Sequence, residues 1–199
     1  MYSFTSCTVN DCNTTALSGS DFCVLHLSDA ANHIKALYET IRQQKTIKNI
    51  NLAGVPLDGW ILKQRQFFGC SFAGAQLNNI DWSDSVFRMC FFDFCTIKNA
   101  QFCRIDAQFC SFAGAAISDT TFIGSELVHN NFNGVHTVRC NFSNSSLYNT
   151  RFIKSQLAET DFIDCDLKKT FFLDISQTSV NWKFSNTQEA YFELTGADF

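Results

Sequence analysis

Large apolar residues recur at every fifth position along most of the chain. Positions whose numbers end in 2 or 7 form one unbroken frame from Leu52 to Ala197, in which only Thr137, Gln177 and Thr187 are polar. A helix repeats its buried face about every 3.6 residues and a strand about every 2, so neither element explains this spacing. A second column, two residues before each centre, holds mostly small or compact side chains. The period therefore belongs to a larger repeating unit.

Four such five-residue sides can close a square coil of about 20 residues. Reading the apolar centres at intervals of 20 places most aromatic residues on two facing walls, as expected if like residues stack above one another. The aromatic walls are Leu52, Phe72, Phe92, Phe112, Phe132, Phe152, Phe172, Phe192 and Leu62, Trp82, Phe102, Phe122, Phe142, Phe162, Trp182. The other two are Leu57, Leu77, Ile97, Ile117, Thr137, Leu157, Gln177, Ala197 and Phe67, Phe87, Ala107, Leu127, Leu147, Leu167, Thr187.

Five stretches match one loose pattern of a small residue, a polar residue, a Leu or Phe centre and two further positions: AQLNN (75–79), AQFCR (100–104), CNFSN (140–144), TDFID (160–164) and CDLKK (165–169). The pattern resembles that of the pentapeptide-repeat family, and the resemblance covers residues 50–199. It implies an all-β solenoid, a right-handed quadrilateral parallel β-helix. The handedness is implied by the resemblance alone.

The first 27 residues carry a different signal, Cys7-x4-Cys12-x10-Cys23-x2-His26. Three thiols and one imidazole suit a closed tetrahedral zinc site, with Cys23 and His26 on one helical turn. The segment resembles the small Cys3His modules at the front of some bacterial proteins. Zinc would be structural here, because all four coordination positions are filled. The alternative is a set of ordinary reduced thiols beside a histidine.

Residues 28–49 form the next predicted unit, a helix that caps the solenoid. Apolar residues follow at helical spacing after a candidate N-cap at Ser28 or Asp29. They are Ala31, Ile34, Leu37, Tyr38 and Ile41. An open coil end exposes apolar interior and unpaired strand edges, so a lid is expected there. His33 is expected on the solvent side of this helix.

The regularity of the repeat favours a non-enzymatic protein. The regular frame leaves no long loop for a catalytic cleft, and no nucleophile triad, phosphate loop or carboxylate pair stands apart from the repeat. The start of the chain does not have the form of a signal peptide, and no apolar run has the length of a membrane span. We therefore expect a cytoplasmic protein that contacts neither membrane nor nucleic acid. Cysteines in the repeat are expected to act as small core residues, with Cys103 outward.

Two outward apolar groups predict protein partners and make a scaffold the first functional hypothesis. One group lies at the corner between the Phe87 and Phe92 walls and contains Phe68, Met89, Phe91 and Phe109. The other, near the C-terminus, contains Ile153, Phe171, Leu173, Tyr191 and Leu194 and predicts a homodimer through the last coil. For both groups the alternative is that the side chains fold back over their own coil.

The second hypothesis is DNA mimicry, because some pentapeptide-repeat proteins confer quinolone resistance by binding DNA gyrase with aligned carboxylates. One edge is acidic, with Asp84, Asp106, Glu126, Asp164 and Asp166 interrupted by Arg104. Residues 50–199 hold 15 acidic and 11 basic side chains, so the field is weak beside that of DNA. The chain also lacks the projecting loops of those resistance proteins.

Overall fold

The computed structural model describes residues 4–193, which form one helix followed by a parallel β-solenoid of about seven turns. Helix α1 spans Ala30–Gln43. The short strands are β1 Thr46–Lys48, β2 Gln66–Phe68, β3 Gln76–Asn78, β4 Val86–Arg88, β5 Thr96–Lys98, β6 Asp106–Gln108, β7 Ala116–Ser118, β8 Glu126–Val128, β9 His136–Val138, β10 Gln156–Ala158 and β11 Ser176–Thr178. A single 3₁₀ turn, Thr187–Glu189, follows near the end of the described chain.

Every strand pairs in parallel with the segment 20 residues away, which confirms the predicted coil. One sheet has the order β1-β2-β4-β6-β8, and the other has the order β11-β10-β9-β7-β5-β3. Single parallel bridges at the same spacing, such as Phe91↔Ser111 and Asp81↔Gln101, hold the remaining two sides. We call the sides face 1 (centres Ile47, Phe67, Phe87, Ala107, Leu127, Leu147, Leu167), face 2 (Leu52 to Phe192), face 3 (Leu57 to Gln177) and face 4 (Leu62 to Trp182).

The interior is a continuous column of stacked rings. Phe92 and Phe112 lie 4.5 Å apart between centroids, and Phe112 and Phe132 also lie 4.5 Å apart, with nearly parallel planes. Rings of face 2 meet those of face 4 edge-on, as Phe112 does Phe122 at 6.2 Å. Both arrangements are favourable for aromatic quadrupoles, so the segregation of aromatics onto two walls has an energetic reason.

The solenoid begins earlier than the sequence indicates. Strand β1, centred on Ile47, already pairs with β2, so the first rung precedes the predicted boundary at residue 50. Ile47 is buried and is the five-residue frame's first member. The sequence pattern does not indicate this first rung, because Lys45 and Lys48 make the surroundings of Ile47 polar.

Helix α1 lies against the first coil, with Ile41 buried and Ile34, Leu37 and Tyr38 packed on the core. The Tyr38 ring stacks 4.7 Å from that of Trp60. His33 does not point into solvent as predicted, because its Nε2 lies 2.8 Å from the carbonyl oxygen of Ser18. In the described part of the chain, α1 is too short and polar to cross a membrane.

Candidate functional site

The four predicted ligands, Cys7, Cys12, Cys23 and His26, converge in the N-terminal segment, with all ligand atoms within 4.8 Å of one another. The Sγ atoms of Cys12 and Cys23 are 3.9 Å apart. Nδ1 of His26 is 3.4 Å from Cys7 Sγ and 3.5 Å from Cys23 Sγ. Ligands at tetrahedral zinc distances would be separated by about 3.8 Å for two sulfurs and about 3.6 Å for sulfur and nitrogen. The group therefore has the dimensions of a closed metal site.

Local backbone bonds bring the ligands together. A bridge between Ser6 and Thr15 closes the loop that carries Cys7 and Cys12, and the Cys7 amide donates to the Thr14 carbonyl at 2.9 Å. The second pair lies on one turn, because the His26 amide donates to the Cys23 carbonyl at 3.1 Å. The predicted helical turn is therefore present.

The surroundings of Cys23 favour the thiolate that a metal needs. Hydrogen bonds lower the pKa of the Cys23 thiol to about 6, mainly the bond with the Thr14 side chain and to a lesser extent those with the amides of Leu25 and His26, while burial acts in the opposite direction. A thiolate at neutral pH removes the cost of releasing a proton when a cation binds. Cys7 and Cys23 are buried, whereas His26 is exposed.

Asn51 joins this segment to the first coil of the solenoid. Its buried side chain donates to the Thr15 hydroxyl at 2.8 Å and to the Ala16 carbonyl at 2.6 Å. Its backbone exchanges hydrogen bonds with Ser18. Sequence reasoning missed this connection, because Asn51 occupies an ordinary outward position of the repeat.

The predicted partner surface lies at the corner between faces 1 and 2. Phe109 is 60% exposed, Met89 42% and Phe91 37%, while Phe68 is half-buried beneath the Lys48 ammonium. Phe109 is itself stacked on the His129 ring at 5.1 Å. The surface is therefore partly supported by its own coils and still presents aromatic area to solvent.

The acidic edge carries less unpaired negative charge than its sequence indicates, because two of its carboxylates are paired with arginines. Arg104 holds Asp84 through two hydrogen bonds of 2.7 and 3.0 Å, and this pairing lowers the Asp84 pKa. Arg88 forms an ion pair with Asp106. Glu126 stands beside Asp106 in the neighbouring strand and is exposed.

The predicted dimer surface is partly covered by its own side chains. Phe171 and Tyr191 stack at 4.8 Å, and both are half-buried. Ile153 and Leu173 are also half-buried. Leu194 lies outside the described residues.

Part of the repeat matches a known protein family. Residues 138–172 match the family model for pentapeptide repeats in eight copies. This segment consists of pentapeptide repeats. The same five-residue frame continues on both sides of the matched segment, with the same 20-residue pairing from β1 to β11. No catalytic family is indicated.

Several solved structures are similar to this chain. A trypsin-treated variant of QnrB1, a plasmid-mediated fluoroquinolone resistance protein, is 16% identical, with a TM-score of 0.44, over 74% of this chain and 87% of that one. Rfr23, a pentapeptide-repeat protein of the cyanobacterium Cyanothece 51142, is 10% identical, with a TM-score of 0.47, over 64% and 91%. HetL, a pentapeptide-repeat protein involved in heterocyst differentiation regulation in Nostoc sp. strain PCC 7120, is 11% identical, with a TM-score of 0.29, over 80% and 95%. Similarities of this size do not transfer a function. No curated protein sequence matches the chain.

The geometry of the solenoid also reveals exposed aromatics that sequence reasoning missed. Phe94 is 74% exposed and Phe184 is 75% exposed. Both occupy the corner position two residues after a centre, where the backbone is left-handed. The five-residue register could have found them, because that position always points out of the coil.

Proposed function

We propose that this protein is a non-enzymatic protein-interaction scaffold, in which a rigid pentapeptide-repeat column presents binding edges to partner proteins. The observation that carries the proposal is the corner between faces 1 and 2, where the Phe91 and Phe109 side chains are 37% and 60% exposed beside the 42% exposed Met89. Exposed aromatic clusters of this kind are typical of protein interfaces. The stacked interior supports the proposal, since rings that fill the core leave the protein to act through its outer walls.

Photocrosslinking tests the scaffold directly. A benzoyl-phenylalanine placed at Phe109 should crosslink one discrete partner in the native host. The matched control is the same analogue at Phe184, which is also exposed and also at a left-handed corner, but on another edge. Identical crosslinking at both positions, or none at Phe109, would contradict the proposal.

We propose further that the Cys3His group binds zinc and that the metal holds the N-terminal segment folded. The ligand spacing and the lowered Cys23 pKa support this assignment. A thiolate site also needs reduced cysteines, in keeping with the cytoplasmic location expected from the sequence. When bound, zinc would supply only a structural crosslink, because no fifth ligand position is offered to a substrate.

Elemental analysis tests the metal. The purified protein should contain about one zinc per chain, as expected for one Cys3His site. Cys12→Ala should lose it, whereas Cys103→Ala, which removes a half-buried thiol of the repeat, should retain it. Folded protein that contains no zinc after growth in zinc would refute the site.

The alternative function is gyrase-directed DNA mimicry, supported by the adjacent carboxylates of Asp106 and Glu126 on a rod. The internal pairing of Asp84 and Asp106 with arginines weakens it. Inhibition of gyrase supercoiling that vanishes with Asp106→Lys and Glu126→Lys would favour mimicry. If the protein does not inhibit gyrase at about tenfold molar excess, mimicry is excluded and the scaffold stands as the proposed function.

We also propose that the protein forms a homodimer through its last coil. The interface would contain Ile153, Phe171, Leu173, Tyr191 and Leu194. Sedimentation at micromolar concentration should show a dimer. A monomer would remove it.

A further inference from the structure

The corner between faces 1 and 2 differs in charge from the rest of the protein. From residue 48 to residue 171, its three outward columns contain five cations, Lys48, Arg88, Arg151, Lys168 and Lys169, and no carboxylate. The chain as a whole carries a net charge of −4. We call this corner the cationic edge. The acidic edge runs along the opposite side of face 1.

Not all of these cations are available to a partner. Arg88 is paired with Asp106, and Lys168 lies 4.0 Å from Glu189, which follows at the end of the edge. Lys169 lies over the Tyr148 ring. Arg151 is exposed, and within residues 4–193 its guanidinium has neither an ion pair nor a hydrogen bond. Lys48 likewise lies over the Phe68 ring, so Arg151 is, among the described residues, the cation of this edge that contacts neither a carboxylate nor an aromatic ring.

Arg151 lines a surface cavity of about 340 Å³ together with Phe109, His129, Asn130, Asn131 and Asn149. The floor of this cavity is built from fixed groups. Asn130 is buried; its Nδ2 donates to the Ala107 carbonyl at 2.9 Å, and its Oδ1 accepts from the Cys110 amide at 2.8 Å. Asn131 donates to the Ser111 hydroxyl at 3.2 Å. These floor residues would need little further ordering on binding, so most of the side-chain ordering falls on Arg151.

His129 contributes a donor and a stacking surface. Asn149 Nδ2 donates to its Nδ1 at 2.7 Å, so the ring proton is on Nε2. One face of the ring is covered by Phe109 at 5.1 Å, and Tyr148 meets it edge-on at 5.7 Å. The cavity thus offers a charged donor and an aromatic wall.

We propose that this cavity on the cationic edge binds an acidic segment of a partner protein, with one carboxylate on Arg151 and a neighbouring apolar side chain against Phe109. The inference rests on the proposed scaffold function and names where and by what chemistry the partner binds. A guanidinium binds a carboxylate through paired, charge-assisted hydrogen bonds. One guanidinium in a cavity beside an aromatic ring suits an isolated carboxylate better than a continuous phosphate backbone, which needs many closely spaced cations.

The test uses a short fluorescein-labelled peptide that alternates glutamate with phenylalanine and glycine, followed by fluorescence anisotropy with the full chain. A peptide with lysine in place of glutamate and a labelled oligothymidylate are run beside it. The acidic peptide should bind and should weaken as salt rises. Arg151→Gln should weaken it about tenfold, corresponding to about 1.4 kcal/mol. Arg151→Lys should recover part of the loss, because charge returns without the paired geometry.

Lys154→Gln is the matched control, since it removes an exposed cation from the next corner and should change the affinity by less than about twofold. Phe109→Ala should weaken binding without changing its dependence on salt. Failure of the acidic peptide to bind, indifference to Arg151→Gln, or tighter binding of oligothymidylate would overturn the site. If the partner crosslinked at Phe109 is still captured by Arg151→Gln at unchanged yield, the scaffold stands and this cavity is not its carboxylate site.

Discussion

At the scale of single residues, the repeat depends on a left-handed backbone position at every corner. Each position ending in 4 or 9, from Asn49 to Phe184, has a positive φ. Glycine, asparagine and aspartate occupy many of these corners, as their tolerance of this conformation predicts. Others hold large side chains, including Met89, Phe109 and Lys154. A left-handed backbone at these large residues costs conformational free energy, which lowers the stability of the fold.

Replacing a large residue at a corner by asparagine should therefore stabilise the protein. Lys154, with a φ of 57°, is suitable because its side chain is exposed. Lys154→Asn should raise the free energy of unfolding by about 0.5 kcal/mol, measured by guanidinium denaturation. Lys98→Asn, at an exposed strand position, is the control and should bring no gain. A loss of stability at Lys154 equal to that at Lys98 would contradict the corner argument.

The buried thiols give a second prediction at this scale. Burial raises the pKa of Cys95 to about 12 and that of Cys140 to about 11, from an ordinary value of 9.0. Above pH 9 the unfolded chain has released protons that the folded chain retains, so folding stability should fall as the pH rises from about 9 towards 12.

Denaturation midpoints at pH 8 and pH 10.5 check this dependence. Cys95→Ala with Cys140→Ala should reduce it in part, because the pKa values of Cys70, Cys90 and Cys165 are raised as well, and Cys103→Ala should leave it unchanged. The idea fails if the double variant keeps the full slope.

At the scale of elements, the N-terminal segment and the first coil behave as one unit through Asn51. Asn51→Ala would leave the Ala16 carbonyl without its donor and should cost about 2 kcal/mol of unfolding free energy. Asn131 is a matched control, since it occupies the same column and likewise accepts from the amide two residues later. Asn131→Ala should cost less than half as much, because the Ser111 hydroxyl to which it donates is not left unpaired and keeps its bond to Asp93. Equal losses would show that Asn51 is only a local turn residue.

Much of this architecture could be predicted from the residue pattern, and the exceptions have physical reasons. The spacing of 20 predicted the walls because stacking in a parallel coil repeats the same environment. The convergence of the Cys3His side chains could be predicted, because the residue types and their short spacings are visible within a single segment of the sequence. The hydrogen bonds of Asn51 and His33 could not, since they join segments whose relative placement no periodicity encodes. The pairing of Arg88 with Asp106 depends on neighbouring columns, which becomes visible only once the register is known.

At the scale of the whole molecule, every surface assignment depends on residues 20 apart lying on one another. The cationic edge, the acidic edge and the aromatic corner are defined by columns of the coil, not by sequence neighbours. If the register differed, Arg151 and Phe109 would no longer share a cavity. The stacked column is therefore the central claim.

Nuclear Overhauser effects between ring protons of Phe92, Phe112 and Phe132, assigned with single Phe→Leu variants, test it most directly. The stacked coil predicts strong effects for Phe92 with Phe112 and for Phe112 with Phe132, whose centroids are 4.5 Å apart. It predicts a much weaker effect for Phe92 with Phe132, two rungs apart. Absence of the first two effects in folded protein would contradict the account.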